Sequence, residues 1–115
     1  MMKVEEKIQN LQLVEHSLNQ LLLQKQTFQA QLAELESAQA ELHKTDLAYK
    51  IVGNVMVKAD RVALEAELKD KAEVLALRIK NIERQESAER EKAERLRKEV
   101  LEELKAREAM GGKEK

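Results

Sequence analysis

The chain of 115 residues contains no cysteine, no proline and no tryptophan, and it has a single tyrosine and a single phenylalanine. Without cysteine it can form neither disulfides nor thiolate metal sites. With so few bulky side chains, we do not expect a compact core of ordinary size. No apolar run approaches the roughly 20 residues of a membrane span, and the N-terminal segment lacks the apolar core of a signal peptide. We therefore expect a cytoplasmic protein without membrane contact.

The charged residues are numerous, but their signs are nearly balanced. There are 21 lysines and arginines against 22 aspartates and glutamates, so the net charge is −1. This balance offers no electrostatic basis for binding nucleic acid or anionic lipid. Neither His16 nor His43 has a carboxylate or thiol at ligand spacing, and no nucleophile constellation or Gly-rich phosphate loop is present. We expect no enzyme activity, no cofactor and no metal.

A composition rich in Ala, Glu, Lys, Leu and Arg with helical periodicity is typical of long helices and coiled coils. The first helix is predicted over residues 3–44, where two series of positions repeat every seven residues and form an a/d seam. Its outer face is rich in glutamine. The predicted seam residues are Val4, Lys7, Leu11, Val14, Leu18, Leu21, Lys25, Phe28, Leu32, Leu35, Gln39 and Leu42.

The second helix is predicted over residues 61–108, with Asp60 as its N-cap. Gly111 and Gly112 should end it, and residues 109–115 should form a disordered tail. Between Glu83 and Lys92 the seam positions become glutamates, Glu86 and Glu89. The apolar seam residues are Leu68, Ala72, Leu75, Ile79, Ile82, Ala93, Leu96 and Val100, with Leu104 slightly out of phase.

Between the helices lies one short segment of β-type sequence, residues 47–58, with Gly53-Asn54 as a two-residue hairpin turn. Both faces of this hairpin are largely apolar, and a lone two-stranded hairpin is barely stable in water. Its edges also carry unpaired backbone groups that invite another chain. We expect the strands to be buried in an assembly, and the alternative is a local turn that only links the helices. The predicted partners are Val52–Val55, Lys50–Val57, Ile51–Met56 and Tyr49–Lys58.

If the helices fold back antiparallel about this turn, Leu18, Leu21 and Leu22 lie opposite the polar stretch of the second helix. We expect them to lack an apolar partner within the chain, and a shifted register with ordinary seam packing is the alternative. Near the chain ends there are more apolar residues than two seam rows can bury. Exposed apolar patches usually mark interaction sites, although seam packing could also account for these residues. The candidate client-binding residues are Val4, Ile8, Leu11, Val14, Leu18, Val100, Leu101 and Leu104.

The order helix, hairpin, helix and the segment Asp46-Leu-Ala-Tyr-Lys-Ile-Val-Gly-Asn-Val-Met-Val-Lys58 resemble the β-type subunit of prefoldin, the archaeal form in particular. The resemblance covers nearly the whole chain and implies a single prefoldin-like domain over residues 1–115. The hairpin segment is its most specific part, because coiled-coil helices are common to many proteins. Subunits of the α type have two hairpins, so the single hairpin indicates the β type.

The resemblance implies a mainly α fold, with two long antiparallel helices in a coiled coil whose hairpin joins an oligomeric β-barrel. It also implies a hexamer of two α-type and four β-type subunits. Such an assembly captures non-native proteins at its coiled-coil tips without ATP and delivers them to a group II chaperonin. The alternative function is a structural or scaffolding coiled coil that self-assembles through its hairpin. The implied interface residues are Tyr49, Ile51, Val52, Val55, Met56 and Val57.

Overall fold

The computed structural model describes the backbone of residues 3–114 and the side chains of residues 3–110. The elements follow the order α1 (Val4–Leu42), β1 (Ala48–Val52), β2 (Val55–Ala59) and α2 (Arg61–Glu114). The fold is therefore mainly helical, with two long helices joined by a β-hairpin. No helix in the described part of the chain is both long enough and apolar enough to cross a membrane.

The chain divides into two compact units, and each helix contributes to both. One unit, here called the terminal unit, comprises Met1–Gln24 and Ile82–Lys115. The other comprises Lys25–Asn81 and is called the hairpin unit because it contains both strands.

Helix α1 follows the predicted seven-residue pattern. All twelve predicted seam positions are buried or half-buried, whereas nearly all other positions of the helix are exposed. The helix ends at Leu42, where the Lys44 N–H bonds the Glu41 carbonyl at 3.0 Å in a tightened last turn. Next, the Leu47 N–H donates to the Thr45 hydroxyl at 3.2 Å, which shapes the entry into β1. The a/d seam prediction is confirmed for this helix.

The hairpin has the predicted register. Ile51 pairs with Met56, Val52 with Val55, and the pairing extends through Ala48 and Ala59. Gly53 has a φ of +61°, and no other residue in the described part of the chain has a positive φ. Glycine with positive φ at the first of two central residues is the requirement of a type II′ turn, whose twist matches that of the flanking strands.

Helix α2 begins where predicted, directly after Asp60, whose carbonyl accepts a hydrogen bond from the Leu64 N–H at 2.9 Å. Its predicted end was wrong, because the helix continues through both glycines to Glu114. Glycine costs about 1 kcal/mol in a helix relative to alanine, but unlike proline it keeps its backbone donor. The flanking residues are good helix formers, so the helix can continue. The tail expected to be disordered is thus helical through Glu114, and Lys115 lies outside the described residues.

In the terminal unit the two helical segments pack antiparallel around a small core of Val14, Ala93 and Leu96. Leu11 and Leu18 pack against this core. The expectation that Leu18 lacks an apolar partner was therefore wrong. Val14 lies four residues before Leu18 on the same face of α1, so the apolar core that it forms with Ala93 and Leu96 extends along that face to Leu18.

In the hairpin unit the buried apolar residues are Leu42, Ala48, Leu75 and Ile79. The Arg78 guanidinium carbon lies 5.7 Å from the centre of the Phe28 ring, within the range of a cation–π contact. Apolar burial in this unit is modest, because most strand side chains remain exposed.

Candidate interaction surfaces

The hairpin displays a continuous set of exposed apolar side chains, here called the hairpin surface. Because neighbouring residues of a strand point to opposite sides, both faces of the two-stranded sheet carry such side chains. Each of the six is between 42% and 69% exposed, which is unusual for residues of this type. The hairpin surface consists of Tyr49, Ile51, Val52, Val55, Met56 and Val57.

Two neighbours of the hairpin surface were not predicted from the sequence. Leu47 lies directly before β1 and Val62 lies in the first turn of α2, and both side chains are exposed. The signal in the sequence that could have identified them is an apolar side chain directly next to the end of a predicted strand. They extend the exposed apolar area beyond the strands on both sides of the hairpin.

Lys50 connects the hairpin to α2. Its Nζ donates to both carboxylate oxygens of Glu67, at 2.9 and 3.0 Å. Lys71, one turn along α2, lies 3.4 Å from the same carboxylate. The hydrogen bond from Lys50, followed by that from Lys71, lowers the pKa of the Glu67 carboxyl below its usual value. The sequence offered no signal for this cluster, because the hairpin brings together residues 17 positions apart.

Near the chain ends, the eight candidate client-binding residues divide into three groups. Val4, Val14 and Val100 are buried in the seam of the terminal unit. Leu11 and Leu18 are half-buried against its core. Ile8, Leu101 and Leu104 are 36%, 54% and 44% exposed, and these three form what we call the terminal surface.

Ion pairs between α1 and α2 accompany the terminal surface. Lys7 Nζ donates to Glu103 Oε1 at 2.6 Å and lies 3.7 Å from Glu99. The hydrogen bond to Glu103 raises the pKa of Lys7. These contacts hold the two helices together at the residues that flank the exposed leucines.

A second cross-helix pair joins Glu5 and Arg107, with Nη1 and Oε1 3.0 Å apart. The pKa of Glu5 is lowered, first by its own backbone amide and then by Arg107. Arg107 therefore favours the charged form of the Glu5 carboxyl, and the pair is a second ion pair that joins α1 to α2 in the terminal unit.

The polar stretch of the second helix contains a buried carboxylate. Glu86 is only 2% exposed, and Arg90 lies 3.8 Å away on the next turn. Every buried side-chain nitrogen or oxygen in the described residues has a hydrogen-bond partner. The seam position predicted for Glu86 is thus confirmed. The carboxylate is accommodated in the seam by its partners.

The arrangement as a whole offers surfaces for binding other chains. Within residues 3–110 no group of three or more His, Asp or Glu side chains lies close enough to hold a metal ion. The two apolar surfaces and the grooves beside the helices are open to solvent. Such geometry suits recognition of another polypeptide.

The sequence matches the family model described as prefoldin subunit over residues 5–107. A prefoldin subunit beta of Pyrobaculum islandicum is 40% identical over 94 residues, covering 79% of this chain and 75% of the relative. A prefoldin subunit beta of Saccharolobus islandicus is 34% identical over 113 residues, covering 96% of this chain and 90% of the relative.

The fold is similar to that of a solved relative as well. The crystal structure of the prefoldin beta subunit from Thermococcus strain KS-1 superposes with a TM-score of 0.83 at 32% identity. The superposition covers 88% of this chain and 91% of that one. The helix–hairpin–helix order, the exposed hairpin and these matches agree, and the chain belongs to the prefoldin subunit family as a β-type subunit.

Proposed function

We propose that this chain is a β-type subunit of an ATP-independent holdase that captures non-native proteins and delivers them to a group II chaperonin. In this proposal two α-type and four β-type subunits form a hexamer through their hairpins. Membership in the prefoldin family supports a chaperone role in general. The observation that carries the finer proposal is the presence of two separate exposed apolar surfaces, one on the strands of the hairpin and one on the helices near the chain ends.

The hairpin surface supports assembly through a closed sheet. A two-stranded sheet leaves a backbone edge on each strand, and here both faces are apolar as well. Addition of strands from neighbouring subunits would satisfy the edges, and closure into a barrel would bury one face. Burying one such apolar side chain contributes roughly 1.5–3 kcal/mol, so the three that each face carries per subunit supply a substantial driving force when that face is buried.

The terminal surface supports capture of non-native chains. Ile8, Leu101 and Leu104 are exposed near residues held by ion pairs, including Lys7–Glu103. Unfolded polypeptides expose apolar side chains that would pack on such residues, whereas the surrounding charges oppose self-association. Each contact would be weak. Several copies around one assembly would raise the overall affinity through avidity while each contact stays reversible.

Assembly is tested by light scattering after size exclusion, with the chain alone and mixed with an archaeal α-type prefoldin subunit. We expect a hexamer-sized species in the mixture. Ile51→Asp should prevent it, since the substitution places a charge in the sheet interface. The control is Leu77→Asp, which alters an exposed leucine on α2 outside the hairpin. Hexamers formed by the Ile51→Asp chain would contradict assembly through the hairpin.

Client capture is tested by the precipitation of a denatured test protein. Ile8→Gln, Leu101→Gln and Leu104→Gln combined should leave the hexamer intact but weaken suppression of precipitation. These substitutions avoid the buried Val4 and Val100, which a truncation would remove. A matched triple variant changes exposed apolar residues elsewhere, Leu23, Val74 and Leu77, and should retain activity.

The same assay separates the proposal from the scaffold alternative. A wild-type hexamer that assembles but leaves the client to precipitate unchanged would refute the holdase function and favour a scaffold. Delivery is tested by adding a group II chaperonin with ATP to the preformed client complex. Recovery of folded client only when both are present is the expected result.

A further inference from the structure

The Glu67 carboxylate lies at the junction between the hairpin and α2. Lys50 of β1 donates to both of its oxygens, and Lys71 lies 3.4 Å from one of them. The structure describes all residues of β1 and β2. Of these, Lys50 is the one whose side chain forms an ion pair with a helix, namely α2. All three residues belong to the hairpin unit.

Apolar packing contributes little to the orientation of the hairpin on its own helices. Ala48 is the only strand residue that is buried, and the side chains of the hairpin surface are exposed. An open groove of about 520 Å³ separates the strands from the helices, with Tyr49 and Ile51 on one side and Leu64 and Leu68 on the other. The hairpin therefore has room to change its angle.

The linkers at the base of the hairpin give only a weak additional constraint. Arg61 lies 3.6 Å from Asp46, but the Asp46 side chain is fully exposed to solvent. Arg61 is also paired with Glu65 on its own helix at 3.2 Å. The Arg61–Asp46 contact is long and its carboxylate is solvated, so it constrains the hairpin less than the two hydrogen bonds from Lys50 to Glu67.

We infer that Glu67 is a positioning residue that holds Lys50 against α2, fixes the angle of the hairpin, and so presents the hairpin surface in the direction that assembly requires. The assembly part of this inference rests on the proposed function. The lowered pKa of Glu67 agrees with a carboxylate that is held in its charged form. Lys71 adds to the same cluster by keeping a second cation beside that carboxylate.

The expected size of the effect follows from the exposure of the pair. Ion pairs at this degree of exposure favour one geometry by about twofold to fivefold. A subunit that populates the competent orientation less often binds more weakly by the same factor. Multiplied over four β-type copies, loss of the pair should weaken hexamer formation by roughly tenfold to several hundredfold.

The orientation is measured directly by the distance between two spin labels in pulsed electron resonance. The chain lacks cysteine, so Asn54→Cys in the turn and Glu73→Cys on α2 give unique label sites within the hairpin unit. Glu67→Gln and Lys50→Met should each broaden the distance distribution, and the double variant should broaden it no further. Glu15→Gln, which breaks the Glu15–Arg97 pair in the terminal unit, is the control. Unchanged distances in Glu67→Gln would overturn the inference.

The consequence for assembly is measured by titrating the unlabelled variants with an α-type subunit. Glu67→Gln should weaken hexamer formation and reduce its dependence on salt, whereas Glu15→Gln should change neither. A Glu67→Gln chain that assembles like wild type despite broadened distances would overturn the link to assembly. Failure of the wild-type chain to assemble would refute the proposed function and this link together, while the label distances still decide whether Glu67 holds the hairpin.

Discussion

Replacing Gly53 by alanine tests the turn on which the hairpin depends. Gly53 has a φ of +61°, a conformation that costs an L-residue about 1–2 kcal/mol. A Cβ built at this position has no heavy atom within 4 Å, so the substitution adds no clash. The cost is therefore a backbone cost. The lower entropy of the unfolded alanine chain offsets part of it, but at a positive φ the net effect remains a destabilisation of about 1 kcal/mol or more.

The assay is amide hydrogen exchange of the paired strands, because whole-chain unfolding is dominated by the helices. A cost of about 1–2 kcal/mol corresponds to exchange roughly five to thirty times faster in β1 and β2. Amides of α1 near Val14 should exchange at the wild-type rate. Hexamer formation with an α-type subunit should weaken in parallel, since the ordered hairpin is the proposed assembly element.

Asn54→Ala is the matched control, since it changes the other residue of the same turn. Asn54 does not have a positive φ, so alanine can adopt its conformation without strain. Exchange in this variant should stay within about twofold of wild type. Equal acceleration in the Gly53→Ala and Asn54→Ala variants, or none in either, would refute the argument from backbone conformation.

Three further predictions concern the terminal unit. Leu96→Ala should lower the free energy of unfolding by about 2–5 kcal/mol in urea titrations, because Leu96 lies in the core. Leu101→Ala, which changes an exposed leucine, should lower it by about 0.5 kcal/mol or less. Equal losses in the two variants would contradict the assignment of Leu96 to the core. The raised pKa of Lys7 stabilises the fold below the ordinary lysine value of about 10.4, and this contribution is lost as the pH rises through the raised value. The difference in melting temperature between wild type and Lys7→Met should therefore shrink in that alkaline range, and a constant difference there would argue against the ion pair. Glu86→Leu should leave the free energy of unfolding unchanged or raise it by up to about 4 kcal/mol, because an apolar side chain avoids the cost of burying a charge. A clear loss of stability in this variant would show that the fold requires the buried carboxylate.

Much of the fold followed from local pattern. The seam of α1 was predicted residue by residue, because burial in a helix pair follows the seven-residue repeat. The hairpin register followed from the two-residue turn, which leaves one way to pair the strands. The end of α2 was not predicted, because two glycines weaken a helix without forbidding it.

The candidate surfaces were predictable to different degrees. The hairpin surface is exposed at all six predicted residues, since a two-stranded sheet cannot cover either of its apolar faces alone. For the terminal surface, the sequence indicated the region but not the exposed members. The candidate set combined seam residues such as Val100, which is buried, with neighbours outside the seam such as Leu101, which is exposed, because the excess of apolar residues did not show which of them the two helices leave uncovered.

The sequence by itself determined the element order, the seam, the turn and the family, because each depends on residues close together along the chain or on a recognisable segment. Only the tertiary structure decided which apolar side chains stay exposed, how Leu18 finds its core partners, and that Lys50 meets Glu67. These features depend on the rotation and axial offset of one element against another. Small differences in packing set both quantities, and a repeating pattern is compatible with several of their values.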